Sequence, residues 1–98
     1  MAANAKAGAS APAIEINGHV VPIIDGMAST WRAFMCLKVV SDEAADGVKK
    51  MDAAFEYARL VSGLDDDEIV EIAGGDMAQI TDVIGVVTQI MTEASPKN

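Results

Sequence analysis

The sequence predicts a mainly α fold, a small helical bundle of about four helices with an N-terminal β-hairpin, and three observations lead there. Hydrophobic residues make up 51% of the 98-residue chain, yet 17 residues are alanine and only 4% are aromatic. That composition suits closely packed helices better than a sheet sandwich. A single stretch, Ile14 to Ile23, has strand character around a turn dipeptide, and the chain beyond it repeats with helical spacing between capping residues and glycines. A chain this short has room for one domain with a thin stability margin, so self-association would help it.

Residues 1–12 are biased to Ala, Gly, Ser and Pro, offer nothing to anchor a core, and are expected to be a flexible tail. The domain is placed at 13–94 and a short C-terminal tail at 95–98. In IEINGHVVPI, Asn17-Gly18 separates two runs rich in β-branched residues, and this dipeptide tolerates the positive φ angles of a type I′ hairpin turn. The two-residue turn sets Ile16 opposite His19 and Ile14 opposite Val21. Ile14, Ile16, Val21 and Ile23 then share one face, with Glu15, Val20 and Pro22 on the other. His19 reads as a partly exposed packing residue, because no cluster of Cys, His or carboxylate spacing accompanies it.

A first helix is expected from about Met27 to Val40, capped by Ser29 or Thr30. Its apolar side chains, Trp31, Phe34, Met35, Leu37, Val39 and Val40, spread almost all round the axis. Such a helix should be central in the bundle or lie against another chain. A second helix is expected from about Asp42 to Ser62, with a core stripe of Ala44, Val48, Met51, Phe55 and Ala58 and a stop at Gly63. A short third helix should be capped by Asp65, with Glu68 completing a capping box, and closed by Gly74-Gly75. The last should open at Asp76, with Gln79 in the capping-box position, and run to about Ala94. Its apolar residues, Met77 through Met91, cover about half the circumference. Two neighbours within the bundle would explain that width, and so would a surface that carries Val83, Val86 and Ile90 outward into a protein interface.

The net charge of −8 is concentrated at one end. Leu60 to Pro96 holds eight acidic residues (Asp65, Asp66, Asp67, Glu68, Glu71, Asp76, Asp82, Glu93) and no Lys or Arg. Such a surface repels phosphate backbones, which argues against nucleic-acid binding. It keeps the chain soluble, and it would also steer a basic partner. No apolar run approaches a membrane span, and the first thirteen residues lack the apolar core of a secretion signal, so neither export nor membrane insertion is expected. The single cysteine, Cys36, sits in an apolar stretch where free Cys acts as a small hydrophobe. Asp65 to Asp67 lack the alternating ligands, the glycine and the terminal Glu of an EF-hand, and capping accounts for them. No phosphate-binding glycine loop, paired CxxC or HExxH is present, and Ser62-Gly63-Leu64-Asp65 is not the Asp-Ser-Leu attachment site of acyl carrier proteins. Catalytic, metal and cofactor-binding residues are therefore expected to be absent, leaving protein binding. The candidate contact residues are Trp31, Phe34, Met35, Val83, Val86 and Ile90.

The order of features, an I-x-I-N-G hairpin, a helix bearing TWRAF (Thr30 to Phe34), a second helix ending Ser62-Gly63-Leu64, and an acidic capped helical end, resembles the tail assembly chaperones of long-tailed bacteriophages and prophages. The resemblance spans about Ile14 to Ala94 and is one of pattern, size and acidity. It implies a homo-oligomeric protein acting in the host cytoplasm during virion assembly. Such a protein coats the long helical tape measure protein, helps recruit tail tube protein, is often also made as a frameshifted longer form, and is absent from the mature virion. The competing expectation is a phage structural or head–tail adaptor protein that stays in the particle.

Overall fold

The computed structural model describes residues 13–94; the tails expected at 1–12 and 95–98 lie outside the described residues. Strands β1 (Ala13–Ile16) and β2 (His19–Pro22) pair antiparallel, with Ile16 opposite His19 and Ile14 opposite Val21. Asn17 and Gly18 both adopt positive φ, at 51° and 83°, as the I′ turn requires. Ile16, Val21 and Ile23 are buried, while Glu15, Val20 and Pro22 face outward. His19 is exposed. Two long-range bonds fasten the hairpin to the helices: the Asn17 side-chain amide donates to the Ile72 carbonyl at 3.0 Å, and the Ile24 N–H donates to Val61 O at 2.6 Å.

Four α-helices follow: α1 (Trp31–Ser41), α2 (Gly47–Ser62), α3 (Asp66–Ala73) and α4 (Ile80–Ala94). Three of their boundaries differ from expectation. Met27–Ser29 forms a separate 3₁₀ turn, and Thr30 then adopts extended backbone and accepts the Ala33 N–H at 3.3 Å, so α1 starts at Trp31 and not at Met27. The second helix starts at Gly47 and not at Asp42, because Asp42 accepts the Ala44 N–H at 2.9 Å and Asp46 the Lys49 N–H at 2.8 Å. Each carboxylate thus offers the local backbone an alternative to one continuous helix. The last helix begins at Ile80 and not at Asp76. Gly74 and Gly75 take φ of 138° and 68°, a 3₁₀ turn covers Gly75–Met77, and Ala78 is extended. Asp82, not Gln79, supplies the capping carboxylate, accepting the Gln79 N–H at 3.0 Å.

The other signals hold. Asp65 accepts the Glu68 N–H while the Glu68 carboxylate accepts the Asp65 N–H, both at 2.9 Å, a complete capping box on α3. Gly63 closes α2 in the left-handed region, φ 76°, its N–H bonded to Arg59 O at 2.8 Å.

In space the helices follow the order α1, α2, α4, α3, each packing on the next, with β1 against α4. The core therefore lies along α2 and α4, where Tyr57, Val61, Val87 and Ile90 are fully covered, with Ile69 and Ile72 closing it from α3 and Val21 from the hairpin. The face of α2 that enters this core is Ala53, Tyr57, Ala58, Val61 and Ser62. Of the expected stripe only Ala58 is fully buried; Phe55 is half-buried, Met51 is exposed, Val48 is 71% exposed, and Ala44 precedes the helix. The small side chains of Ala53 and Ala58 let α2 be approached closely, and Tyr57 fills the volume between its neighbours. Buried Ser62 satisfies its hydroxyl by donating to Ala58 O at 2.6 Å.

Candidate interaction surfaces

Helix α1 occupies an edge of the molecule. It packs on α2 and on the 3₁₀ turn before it, so only Ala33 and Cys36 of its eleven residues are buried. Of the two positions expected for this helix, the central one is corrected by this packing, and the apolar surplus of α1 lies outside. Trp31 is 71% exposed and Phe34 52%, with Met35 beside them on the outer side. The Trp31 and Phe34 rings stand against each other, centroids 5.3 Å apart and planes inclined by 33°, a preformed aromatic pair. Arg32 and Lys38 are exposed on the same helix, which carries no acidic residue. A hollow of about 350 Å³ runs between α1 and α2, walled by Trp31, Met35, Val39 and Ala53.

Cys36 lines that hollow but is itself buried. Its thiol is pushed above 9.0, first by loss of solvation and then by the Glu56 carboxylate, against the opposing pull of Arg32 and Arg59. A thiol held protonated at neutral pH is a poor nucleophile.

An apolar concavity lies between α2 and α4, at the C-terminal end of α1. It has a volume of about 410 Å³ and is walled mainly by Met51, Ala54, Phe55, Ile84, Val87 and Met91, with Lys50, Thr88 and Thr92 as its polar members. This groove accounts for two exposed side chains that core packing left over, Met51 and Ile84. A third apolar surface stands at the start of α4, where Met77 is 82% and Ile80 74% exposed, between the exposed acids Asp76 and Asp82.

The six sequence-derived contact residues thus divide. Trp31, Phe34 and Met35 are together on the outer side of α1. Val86 and Ile90, expected to extend outward, are buried in the core, and Val83 is half-buried against it. Because α4 is held between α2 and α3, the middle of its wide apolar arc is consumed by those two neighbours and only an edge, Ile80 and Ile84, stays open. Sequence reasoning missed Met51, Ile84, Met77 and Ile80 as surface residues. Only the glycine pair before Met77 hinted that the expected last helix would be broken there.

Among the described residues no group of three or more His, Cys, Asp or Glu could hold a metal ion, and no helix is long and apolar enough to cross a membrane. The ion pair present, Arg59 to Asp66 at 2.7 Å, bridges α2 and α3 on the surface and carries little stability there. Fold and surfaces together describe a small helical protein with apolar surfaces on its outside. No protein-family model, characterised protein or solved structure matches the chain.

Proposed function

We propose that this chain is a phage tail assembly chaperone, a non-enzymatic protein of the host cytoplasm that holds the tape measure protein through exposed apolar helix surfaces and assists tail tube assembly. The observation that carries the reading is the apolar groove of about 410 Å³ between α2 and α4. Its walls are helices, and its apolar lining includes Met51, Phe55, Ile84 and Met91. An amphipathic partner helix lays i, i+3, i+4 and i+7 side chains into such a groove. Methionines such as Met51 and Met91 let it accept successive turns that are similar but not identical. The acidic exterior of α3 and α4 keeps the complex soluble while partner apolar surface is covered.

Co-expression with the tape measure protein encoded downstream tests the reading. A stable complex is expected, and Met51→Asp with Ile84→Asp should abolish it while leaving the circular dichroism spectrum unchanged, since both side chains are exposed. A very long open reading frame just downstream, with a slippery site near the end of this gene, is the matching genomic expectation. Recovery of the chain from purified virions by mass spectrometry would favour a structural or adaptor protein instead.

A further inference from the structure

Among the described residues, Met77 and Ile80 are the two most exposed large apolar side chains. They stand in the connection from α3 to α4, where the 3₁₀ turn at Gly75–Met77 packs on α3 and Ala78 is extended. Three carboxylates border them. Asp76 precedes Met77 in the chain, and the Asp82 carboxylate is held beside the start of α4 by accepting the Gln79 N–H at 3.0 Å. The Glu71 carboxylate lies against the turn, its Oε1 3.5 Å from where a β-carbon on Gly75 would stand. All three residues are exposed, and none forms an ion pair among the described residues, where the pair present joins Arg59 to Asp66 at the other end of α3. From Leu60 to Ala94 every charged residue is acidic. The other apolar concavities differ in this respect: Lys50 lines the groove between α2 and α4, and both Arg32 and Glu56 line the hollow between α1 and α2. The Met77 and Ile80 surface has a border of one sign.

We infer that this surface docks a basic amphipathic helix of another protein. The apolar side chains of that helix cover Met77 and Ile80, while flanking Lys or Arg residues meet Glu71, Asp76 and Asp82. Carboxylates alone would hold any cation weakly, and apolar side chains alone would be indifferent to charge. Together they select a segment that carries apolar and basic groups side by side. The flexible thioether of Met77 adapts to whichever apolar side chain arrives. Nucleic acids and anionic membranes present the wrong sign to this border. A second copy of the chain brings a net charge of −8 toward a surface of the same sign, so long-range repulsion opposes it. Two side chains make a patch far below the roughly 800 Å² per partner of a stable complex. The contact is therefore weak, quickly exchanging and dependent on salt. The inference goes beyond the proposed function and does not depend on it, because it leaves the groove between α2 and α4 free.

Nuclear magnetic resonance titration of the isotope-labelled full chain tests it. The probe is a synthetic helical peptide with Leu at i, i+3, i+4 and i+7 and Lys at its other positions, and the control peptide carries Glu in place of every Lys. The Lys peptide is expected to shift the amides of residues 71–82, and raising salt should weaken its binding severalfold. Met77→Ser with Ile80→Ser, both at exposed positions, should weaken binding about tenfold. Asp76→Asn with Asp82→Asn should weaken it severalfold and flatten the salt dependence. The amide oxygen of the second replacement still accepts the Gln79 N–H, so the start of α4 is kept. Met51→Ser with Ile84→Ser alters the groove between α2 and α4 and should leave the titration unchanged. Shifts that gather on Met51, Phe55 and Ile84 and vanish in that groove variant overturn the inference. An affinity unaffected by the Met77 and Ile80 replacements, or an equal affinity for the Glu peptide, does the same. Phosphatidylcholine vesicles that bind the chain through Met77 and Ile80 would assign the surface to lipid, and shifts at 71–82 that grow with the concentration of the chain alone would assign it to a second copy; either result overturns it as well.

Discussion

Tyr57 sits at the middle of α2 with its ring wholly buried, and its hydroxyl has no hydrogen-bond partner among the described residues. A buried polar group left unpaired costs about 1–3 kcal/mol. Tyr57→Phe keeps the ring in place, removes that cost and strands no partner. The small space left by the oxygen offsets part of the gain, since cavities cost about 24 cal/mol per Å³. The net result is a stabilisation of about 1 kcal/mol, which for a domain of this length raises Tm by about 4–8 °C. Chemical denaturation should show a higher midpoint with an unchanged slope, meaning that stability and not the surface exposed on unfolding has changed. Tyr57→Ala is the control for the ring itself and should cost about 3–5 kcal/mol. If Tyr57→Phe is instead less stable by about 1 kcal/mol or more, the hydroxyl is hydrogen-bonded in solution and the reasoning fails.

Other consequences can be measured on the same preparations. Asp65→Ala removes the carboxylate that accepts the Glu68 N–H while the backbone N–H of residue 65 keeps its bond to the Glu68 carboxylate, so it should cost about 1 kcal/mol, with Asp65→Asn recovering most of it; denaturant midpoints compare the three chains. Gly63→Ala places a β-carbon at φ 76° and 3.4 Å from Ile24 Cδ1, so a loss of about 1 kcal/mol or more is expected from the same assay. Cys36 should resist alkylation at neutral pH in the native chain and react rapidly once unfolded. Because burial raises its folded pKa above 9.0, the stability it contributes is complete below that pH and is lost as pH rises through the folded value. Native reactivity and alkaline destabilisation should therefore both appear only at pH above the ordinary thiol range. Asn17→Ala removes the bond to Ile72 O and a residue tolerant of positive φ, so hydrogen exchange should show the hairpin amides opening sooner than those of α4.

The features legible in the sequence were short-range. A two-residue Asn17-Gly18 turn leaves one register for the hairpin, and that register decides that Val21 points inward and Val20 outward. Asp65 with Glu68, Thr30 before Trp31, and Gly63 after Ser62 mark helix ends through bonds spanning three or four residues, so neighbouring letters are enough to read them. The misplaced boundaries were local as well. Asp42 and Asp46 could each have stood inside or outside a helix, and Gly74-Gly75 could have ended one element or bent the start of the next. Dihedral angles separate those cases, and composition does not.

The faces were another matter. Helical spacing alone put Val48 and Met51 of α2 on the inside and allowed Val86 and Ile90 of α4 to stand on the outside, and packing placed each pair the other way. A side chain is buried when something covers it, and α2 and α4 cover each other, with α1 and α3 beyond them, brought together from distant parts of the chain. The same packing left α1 at an edge with Trp31 and Phe34 in solvent, and it opened the groove between Met51 and Ile84. By itself the sequence determined an acidic, mainly helical chain with its turn, its caps and its charge segregated toward one end. Only the tertiary structure decided which apolar surplus became core and which became surface, because that depends on the order in which the helices stack.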